Sequence, residues 1–328
     1  MKNLSDMGER NAIKLVEKII SKGDAAVGIG DDCAALAIGD EYLLVTTDMI
    51  TQKTHIPAGM TPYQIGWFVV AINLSDIAAK GGRPLGLVLA LGLPKNTSES
   101  FLKELMKGAD ACATHFDTSI VGGDTKENPE ITICGTAFGM VKKDEFMPRK
   151  GAKIGDVVAV TGSLGKAGAG YLASQHRMKD ELILKGLFEP IPRIREGRVL
   201  ASLKIVSSCM DISDGLSSSL YQLMELNHVG FEIDSEKLPI APELLKLQKS
   251  FTFDVNECAV QFGGDYELLI TIPQDDFEKA RKRIEKTGSV LTVIGHVTKN
   301  KEIIMKLKNK KKILENKGYE HFKKMIFK

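Results

Sequence analysis

The sequence predicts two mixed α/β domains that meet near residue 147. Three features point there. A chain of 328 residues exceeds the roughly 250 to 300 that one hydrophobic core supports. Apolar runs of strand length alternate with stretches of helical periodicity along the chain. The polar stretch FMPRKGAKIGD, from Phe146 to Asp156, interrupts that alternation with proline and glycine. The expected domains are therefore 1–147 and 148–328.

In ERNAIKLVEKIISKG, Ile13, Val16, Ile19 and Ile20 recur at helical spacing and Gly23 supplies a stop, which predicts a surface helix with one buried stripe. Apolar runs predict strands over 42–45 and 85–91, with a mostly apolar helix over 62–80 between them. A helix over about 98–114 precedes strands over 119–121 and 131–141. After the interruption, DVVAVTGSLGKAGAGYLAS reads as strand, glycine-rich turn and helix, and strands follow near Phe231, over 267–272 and over 290–296.

Hydrophobic and charged fractions of 43% and 26% are those of a globular protein and exclude disorder. A net charge of +2 gives no field that would argue for nucleic acid as a partner. From Lys299 onward eleven lysines face only Glu302, Glu315 and Glu320, which is expected to be a solvated edge. No apolar run reaches the roughly 18 residues of a membrane span, and MKNLSDMGER lacks a signal-peptide core, so a cytoplasmic protein without a membrane partner is expected. The five cysteines show no CxxC spacing and read as reduced thiols.

Aspartates recur beside apolar runs and small residues: Asp31 and Asp32 in GIGDDC, Asp48 in LLVTTD, Asp76 in INLSD, Asp124 in IVGGDT, and Asp211 and Asp214 in MDISDGL. A carboxylate at a strand end can point into a cleft while its backbone stays tied to the sheet, and small neighbours let a bulky ligand approach. Singly, each is ordinary cap or turn chemistry. Converging, they would repel and need cations. With no histidine or cysteine at ligand spacing, the ion indicated is hard and oxygen-loving, and magnesium fits best.

The usual phosphate signatures are missing. Val160 stands where a P-loop needs its first glycine, Ala167 where it needs serine or threonine, and Gly165 to Gly170 reads GxxGxG. Close packing of the following helix is the expected role of those glycines. HRD, DFG and GxSxG are absent.

The ordered motifs GIGDD, TTD, NLSDIAAKGG, GGDT, DISDGL and GGDYEL, spread over residues 28–268, resemble those of thiamine-monophosphate kinase. That family belongs with aminoimidazole-ribonucleotide synthetase, hydrogenase-maturation dehydratase and selenophosphate synthetase. The resemblance implies two α/β domains of the aminoimidazole-ribonucleotide synthetase-like type, paired through their amino-terminal sheets into a homodimer. It implies transfer of a phosphoryl group from ATP to thiamine monophosphate, giving thiamine diphosphate, with several Mg2+ ions and no covalent enzyme intermediate. The acceptor phosphate is already ionised near neutral pH, so no catalytic base is assigned.

Carried over by motif, the implied magnesium ligands are Asp32, Thr46, Thr47, Asp48, Asp76, Asp124, Asp211 and Asp214, with Asp31 as the paired acid. Gly123, Asp124, Arg149 and Ser213 fall at ATP-binding positions, and His55 and Tyr319 at substrate positions. Relatives often read GGEDYEL where this chain reads FGGDYEL, so Gly264 replaces an acid and either Asp265 substitutes for it or the contact is lost. Other enzymes of the superfamily fit less well: the dehydratase uses a carboxyl-terminal cysteine where this chain ends MIFK, and the reactive cysteine of selenophosphate synthetase has no counterpart in Cys33, which follows GIGDD. A non-catalytic nucleotide or thiamine-diphosphate sensor would have lost metal ligands, and every motif aspartate is present.

Overall fold

The computed structural model describes residues 3–21 and 23–322. The chain opens with α1 (Leu4–Met7) and α2 (Glu9–Ile19), broken at Gly8, whose φ of 73° suits glycine. The buried stripe expected of this first helix is absent. Ile13, Val16 and Ile19 are 46%, 50% and 73% exposed, and α2 buries none of its residues. Polar contacts hold it against the second domain, Arg10 on Ser218 at 2.5 Å and Lys14 on Glu225 at 3.4 Å, and among the described residues its apolar side stays exposed.

The first sheet follows. Its strands are β1 (Ala34–Ile38), β2 (Glu41–Thr51), β3 (Arg83–Leu93), β4 (Ile120–Glu127) and β5 (Thr132–Lys142), in spatial order β1-β2-β5-β3-β4. All pairs are antiparallel except β3 with β4. Between strands lie α3 (Gln52–His55), α4 (Pro62–Ala79) and α5 (Glu99–His115). β2 runs well past the predicted 42–45, because β5 pairs with it continuously from Glu41↔Lys142 to Thr51↔Thr132. Thr46, Thr47 and Asp48 consequently lie inside a strand and not at its end.

The helix predicted over 62–80 is α4, and it is the centre of the molecule. Thr61 caps it through a capping box with Gln64, and Pro62 occupies the first turn. Apolar residues on every side bury it against β2, β5 and α5 of its own domain and against the second domain. Gly66 and Gly108 permit the crossing with α5: a Cβ at Gly66 would sit 1.9 Å from Leu105 O, and one at Gly108 1.8 Å from Tyr63 O.

The second sheet contains β6 (Val157–Thr161), β7 (Ser208–Asp211), β8 (Gly230–Asp234), β9 (Leu268–Ile272), β10 (Leu291–Thr298), β11 (Ile303–Leu307) and β12 (Lys310–Ile313). Their spatial order is β12-β11-β8-β10-β6-β9-β7, with only β8 and β11 parallel. The helices here are α6 (Lys166–Gln175), α7 (Glu181–Phe188), α8 (Ile194–Leu203), α9 (Leu216–Asn227), α10 (Pro242–Gln248), α11 (Val255–Gln261) and α12 (Phe277–Glu285). Lys310, Lys311 and Lys312 lie on the exposed edge strand β12, with Lys311 paired to Glu232 at 2.5 Å, as a solvated edge requires. Lys323, Lys324 and Lys328 lie outside the described residues. No described helix is long and apolar enough to cross a membrane.

The crossing of α4 and α5 is open to test. Gly66→Ala or Gly108→Ala should destabilise the protein by about 1 to 3 kcal/mol or more, because the new methyl meets backbone that cannot step aside. Gly122→Ala, whose Cβ would meet only Val88 Cγ1 at 3.6 Å, should cost much less in the same urea titration.

Candidate active site

Three elements bring carboxylates together where the domains meet. Asp32 comes from the loop before β1, Asp76 from the last turn of α4 and Asp211 from the end of β7. One carboxylate oxygen from each lies within 4.8 Å of the other two. The neighbours of Asp76 in the sequence serve the same place. Ser75 Oγ donates to Asp211 Oδ2 at 2.6 Å, tying the domains, and Thr46 Oγ1 donates to Asp76 Oδ2 at 2.5 Å. Asn73 Oδ1 accepts from the amide of Asp48 at 3.1 Å, which fixes β2 over the helix.

Two cations are built in. Lys80, fully buried just beyond α4, places Nζ 2.6 Å from Asp31 Oδ1, 2.8 Å from Asp32 Oδ2 and 2.9 Å from the Cys209 carbonyl. A buried ammonium is tolerated only with such partners. Arg149 donates from Nε to Asp32 Oδ1 at 2.8 Å, adds a second contact from Nη2, and reaches Gln222 with Nη1 at 3.1 Å. Its backbone is clamped by Asn227, which donates to Arg149 O at 3.0 Å and accepts from the amides of Gly151 and Ala152 at 2.6 and 3.0 Å.

The cations divide the acids into two kinds. Burial alone would raise the pKa of Asp32, yet Arg149 and Lys80 together hold it below the usual carboxylate range. Their own pKa values rise despite burial, because the acids favour the charged forms. Asp76 has no such cation; burial first, and then Asp48, Asp211 and Asp32, push it well up. Burial and Asp32 lift Asp211 to about 7. Burial with Asp32 and Glu9 lifts Asp48 to about 6, and burial with Glu9 lifts Asp214 to about 6. Closely gathered carboxylate oxygens with raised pKa values could hold a hard divalent cation.

Other residues singled out by the sequence lie around or away from this cluster. Thr47 turns to the opposite face of β2, where its hydroxyl meets Gly135 O at 2.8 Å and Thr136 Oγ1 at 3.1 Å. Asp124 is exposed on edge strand β4, with Lys126 at 3.5 Å, and is not gathered with Asp32, Asp76 and Asp211. Gly123 has a steric reason, since a Cβ there would lie 2.0 Å from Leu89 O. Ser213 sits in the turn after β7 and accepts from Gly264 N at 2.7 Å. His55 and Tyr319 meet through a residue the sequence did not single out, His321. Its ring lies 5.4 Å from that of His55 and 4.8 Å from that of Tyr319, and its amide donates to Glu9 Oε2 at 3.2 Å. Burial and His321 lower the pKa of His55 to about 4, so its ring is neutral at neutral pH.

Asp265 does not stand in for the missing acid at Gly264. Its carboxylate accepts from the amides of Gly165 and Ala167 at 2.6 and 3.0 Å and so caps α6. The amides of the glycine-rich turn are thus already taken by an internal carboxyl group, which burial lifts to about 7, while Gly168 and Gly170 pack against Cys258 and Leu187. Gly264 has a φ of 96°, which a glutamate would occupy only under strain. Sequence reasoning also passed over Lys80, Tyr266 and Glu9. Lys80 had a signal, a lone lysine four residues after Asp76 at the end of an apolar helix, which cannot be buried without an acid. Tyr266 and Glu9 had none.

A fold of two such domains with acids at their junction is that of the AIR synthase related proteins. The family model for the N-terminal domain of an AIR synthase related protein matches residues 30–141, and that for the C-terminal domain matches residues 153–308. Thiamine-monophosphate kinase of Methanospirillum hungatei is 37% identical over 96% of this chain and 99% of its own, and that of Pyrococcus horikoshii is 35% identical over 90% and 91%. A solved structure described as AaThiL complexed with AMPPCP and TMP superposes with a TM-score of 0.87 at 28% identity, covering 98% of this chain and 99% of that one. The hydrogenase maturation protein HypE of E. coli, at 19% identity and a TM-score of 0.72 over 94% and 97%, shares the fold. This chain belongs to the thiamine-monophosphate kinase family.

The raised carboxylates set a pH dependence. A carboxyl whose folded pKa lies above its unfolded value near 3.8 favours the folded state when protonated, so its contribution is present at low pH and is lost as pH rises through the window from about 4 to about 7. Asp32, shifted the other way, acts below that window. In EDTA the melting temperature should therefore fall between pH 5 and pH 8, and Mg2+ should restore it at pH 8. A profile flat in pH and indifferent to Mg2+ would remove the repulsive cluster.

Proposed function

We propose that this chain transfers the γ-phosphoryl group of ATP to the phosphate of thiamine monophosphate by direct in-line displacement. The observation that carries the reading is the junction of Asp32, Asp76 and Asp211, drawn from both domains and supplying only oxygen donors. These three would hold Mg2+, with Asp48 and Asp214 beside them. Bound there, Mg2+ supplies the positive charge that lets two phosphate groups approach, since two unit charges 4 Å apart repel by roughly 4 kcal/mol at an effective dielectric of 20.

The chain's own residues do the positioning. Ser75 and Thr46 fix the rotamers of Asp211 and Asp76, and Lys80 with Arg149 keeps Asp32 ionised. Tyr266, buried and packed edge-on against Phe68, would back the cluster with an aromatic ring. No proton need be removed from an acceptor phosphate that is already ionised, and His55, with its pKa lowered to about 4, is a poor base. Tyr319, His321 and His55 offer aromatic faces and Glu9 a negative charge, suited to a flat pyrimidine joined to a cationic thiazolium. The same reading includes a homodimer paired through the amino-terminal sheet. In its support, Leu36, Ile38, Met49 and Val121 are exposed on the first sheet.

The decisive assay follows thiamine diphosphate formed from thiamine monophosphate or from free thiamine. Only the monophosphate should be turned over, EDTA should abolish the reaction and Mg2+ should restore it. Equal turnover of both acceptors would sink the reading. Asp76→Asn should lower kcat by at least about 100-fold, equivalent to about 2.7 kcal/mol. Asp144→Asn and Asp180→Asn, in surface ion pairs with Lys204 and Lys246, should change little.

Tyr319→Ala should raise the KM for thiamine monophosphate about 2 to 30-fold, the range that about 0.5 to 2 kcal/mol of stacking implies. The KM for ATP should move much less, and Tyr319→Phe should be nearly silent. Equal weakening of both substrates, with a lowered melting temperature, would make Tyr319 a packing residue.

A further inference from the structure

An opening of about 500 Å³ lies between the domains where α8 faces the first sheet. Glu41, Arg83, Lys142 and Glu145 line it from the amino-terminal side, and Arg195 and Arg198 from α8. The register explains the gathering. Glu41 pairs with Lys142 across β2 and β5, and Arg83 with Met140 across β3 and β5, two residues along the same face. Arg195, Arg198 and Ser202 recur at helical spacing and share one side of α8.

Four cations thus face two carboxylates, and even these do not neutralise the arginines. Glu145 is taken by Lys142 at 3.2 Å, and Glu41 forms no ion pair with a described residue. The side chains of Arg83, Arg195 and Arg198 make no hydrogen bond or ion pair with any described residue. Arg149, Arg193 and Arg281, by contrast, each hold a carboxylate. Like charges crowded in one opening repel, and an anion relieves that repulsion. The guanidinium fork matches phosphate oxygens bidentately.

The floor of the opening touches the site described above. Gly81, with a φ of 72°, brings its turn so close to α8 that a Cβ would lie 2.3 Å from Ala201 Cβ. Its neighbour in sequence is Lys80, which holds Asp31 and Asp32.

We infer that this cleft binds a small anion bearing two or more phosphate groups, which clamps α8 to the amino-terminal sheet. The inference stands apart from the kinase reading. Its test is calorimetric titration of inorganic pyrophosphate into the full chain in EDTA, where the metal-free carboxylate cluster repels a polyanion and does not compete. About one equivalent should bind, with affinity that falls as salt rises, and the melting temperature should increase. Arg195→Gln/Arg198→Gln, two exposed positions, should weaken binding at least tenfold while leaving the unliganded melting temperature unchanged. Arg195→Lys/Arg198→Lys should lose less.

ADP and thiamine diphosphate serve as further titrants. Weakening of both in the glutamine variant supports recognition of the shared diphosphate. Binding of ADP without binding of pyrophosphate would overturn the inference, since the base would then be what is recognised. No saturable binding of pyrophosphate by the wild-type chain, or equal affinity in the glutamine variant, would overturn it equally.

Discussion

Gathering the carboxylates of Asp32, Asp76 and Asp211 within 4.8 Å of one another is the constraint on which the domain junction depends. Each carboxylate is costly to desolvate, and each makes the next more costly. Lys80 and Arg149 offset that cost fully for Asp32, while Arg149 eases Asp211 only in part and no cation acts on Asp76, so both keep raised pKa values. The cluster is therefore half neutralised: stable enough to fold around, and still short of positive charge. The same constraint explains why α4 is apolar on every side yet carries Asn73, Ser75 and Asp76 in its last turns. The helix must be buried between the domains to deliver its polar residues to the place where the middle of β2 and the end of β7 meet.

Much of this was legible in the sequence, because helical and strand periodicities survive where an element is buried on a sheet. The helix over 62–80 emerged as α4, and the aspartate motifs pointed to Asp32, Asp76 and Asp211. What failed has physical causes. The stripe of α2 reads as a buried face, but periodicity says nothing about whether a partner surface exists, and among the described residues none covers it. The strand carrying Asp48 looked short because threonines ended its apolar run, whereas pairing with β5 carries it to Thr51. Thr47 and Asp124 look like their neighbours in the sequence, and only alternation across the strands turns them away from the cluster.

Contacts distant in sequence were beyond reach altogether. Glu9 and His321 are joined across nearly the whole chain, and each looks like an ordinary surface residue until that hydrogen bond is seen. Gly264 and Asp265 illustrate the reverse. Their motif suggested an acid displaced by one position, but the backbone at 264 turns through a left-handed conformation and the carboxylate at 265 goes to a helix end.

That helix end sets an order of events during synthesis. α6 begins on Gly165, which has no capping side chain, and borrows its cap from Asp265, a hundred residues later. β6, immediately before it, pairs only with β9 and β10, which are also made later. A nascent chain that has emerged as far as α9 therefore holds a central strand without neighbours and a helix with open amides. The first sheet, by contrast, is complete by Lys142 and pairs entirely within itself. The amino-terminal half can close while the ribosome is still working, and the second half waits, apolar strand exposed, from Thr161 until β9 begins at Leu268. Chaperone dependence and aggregation during expression should trace to that second half.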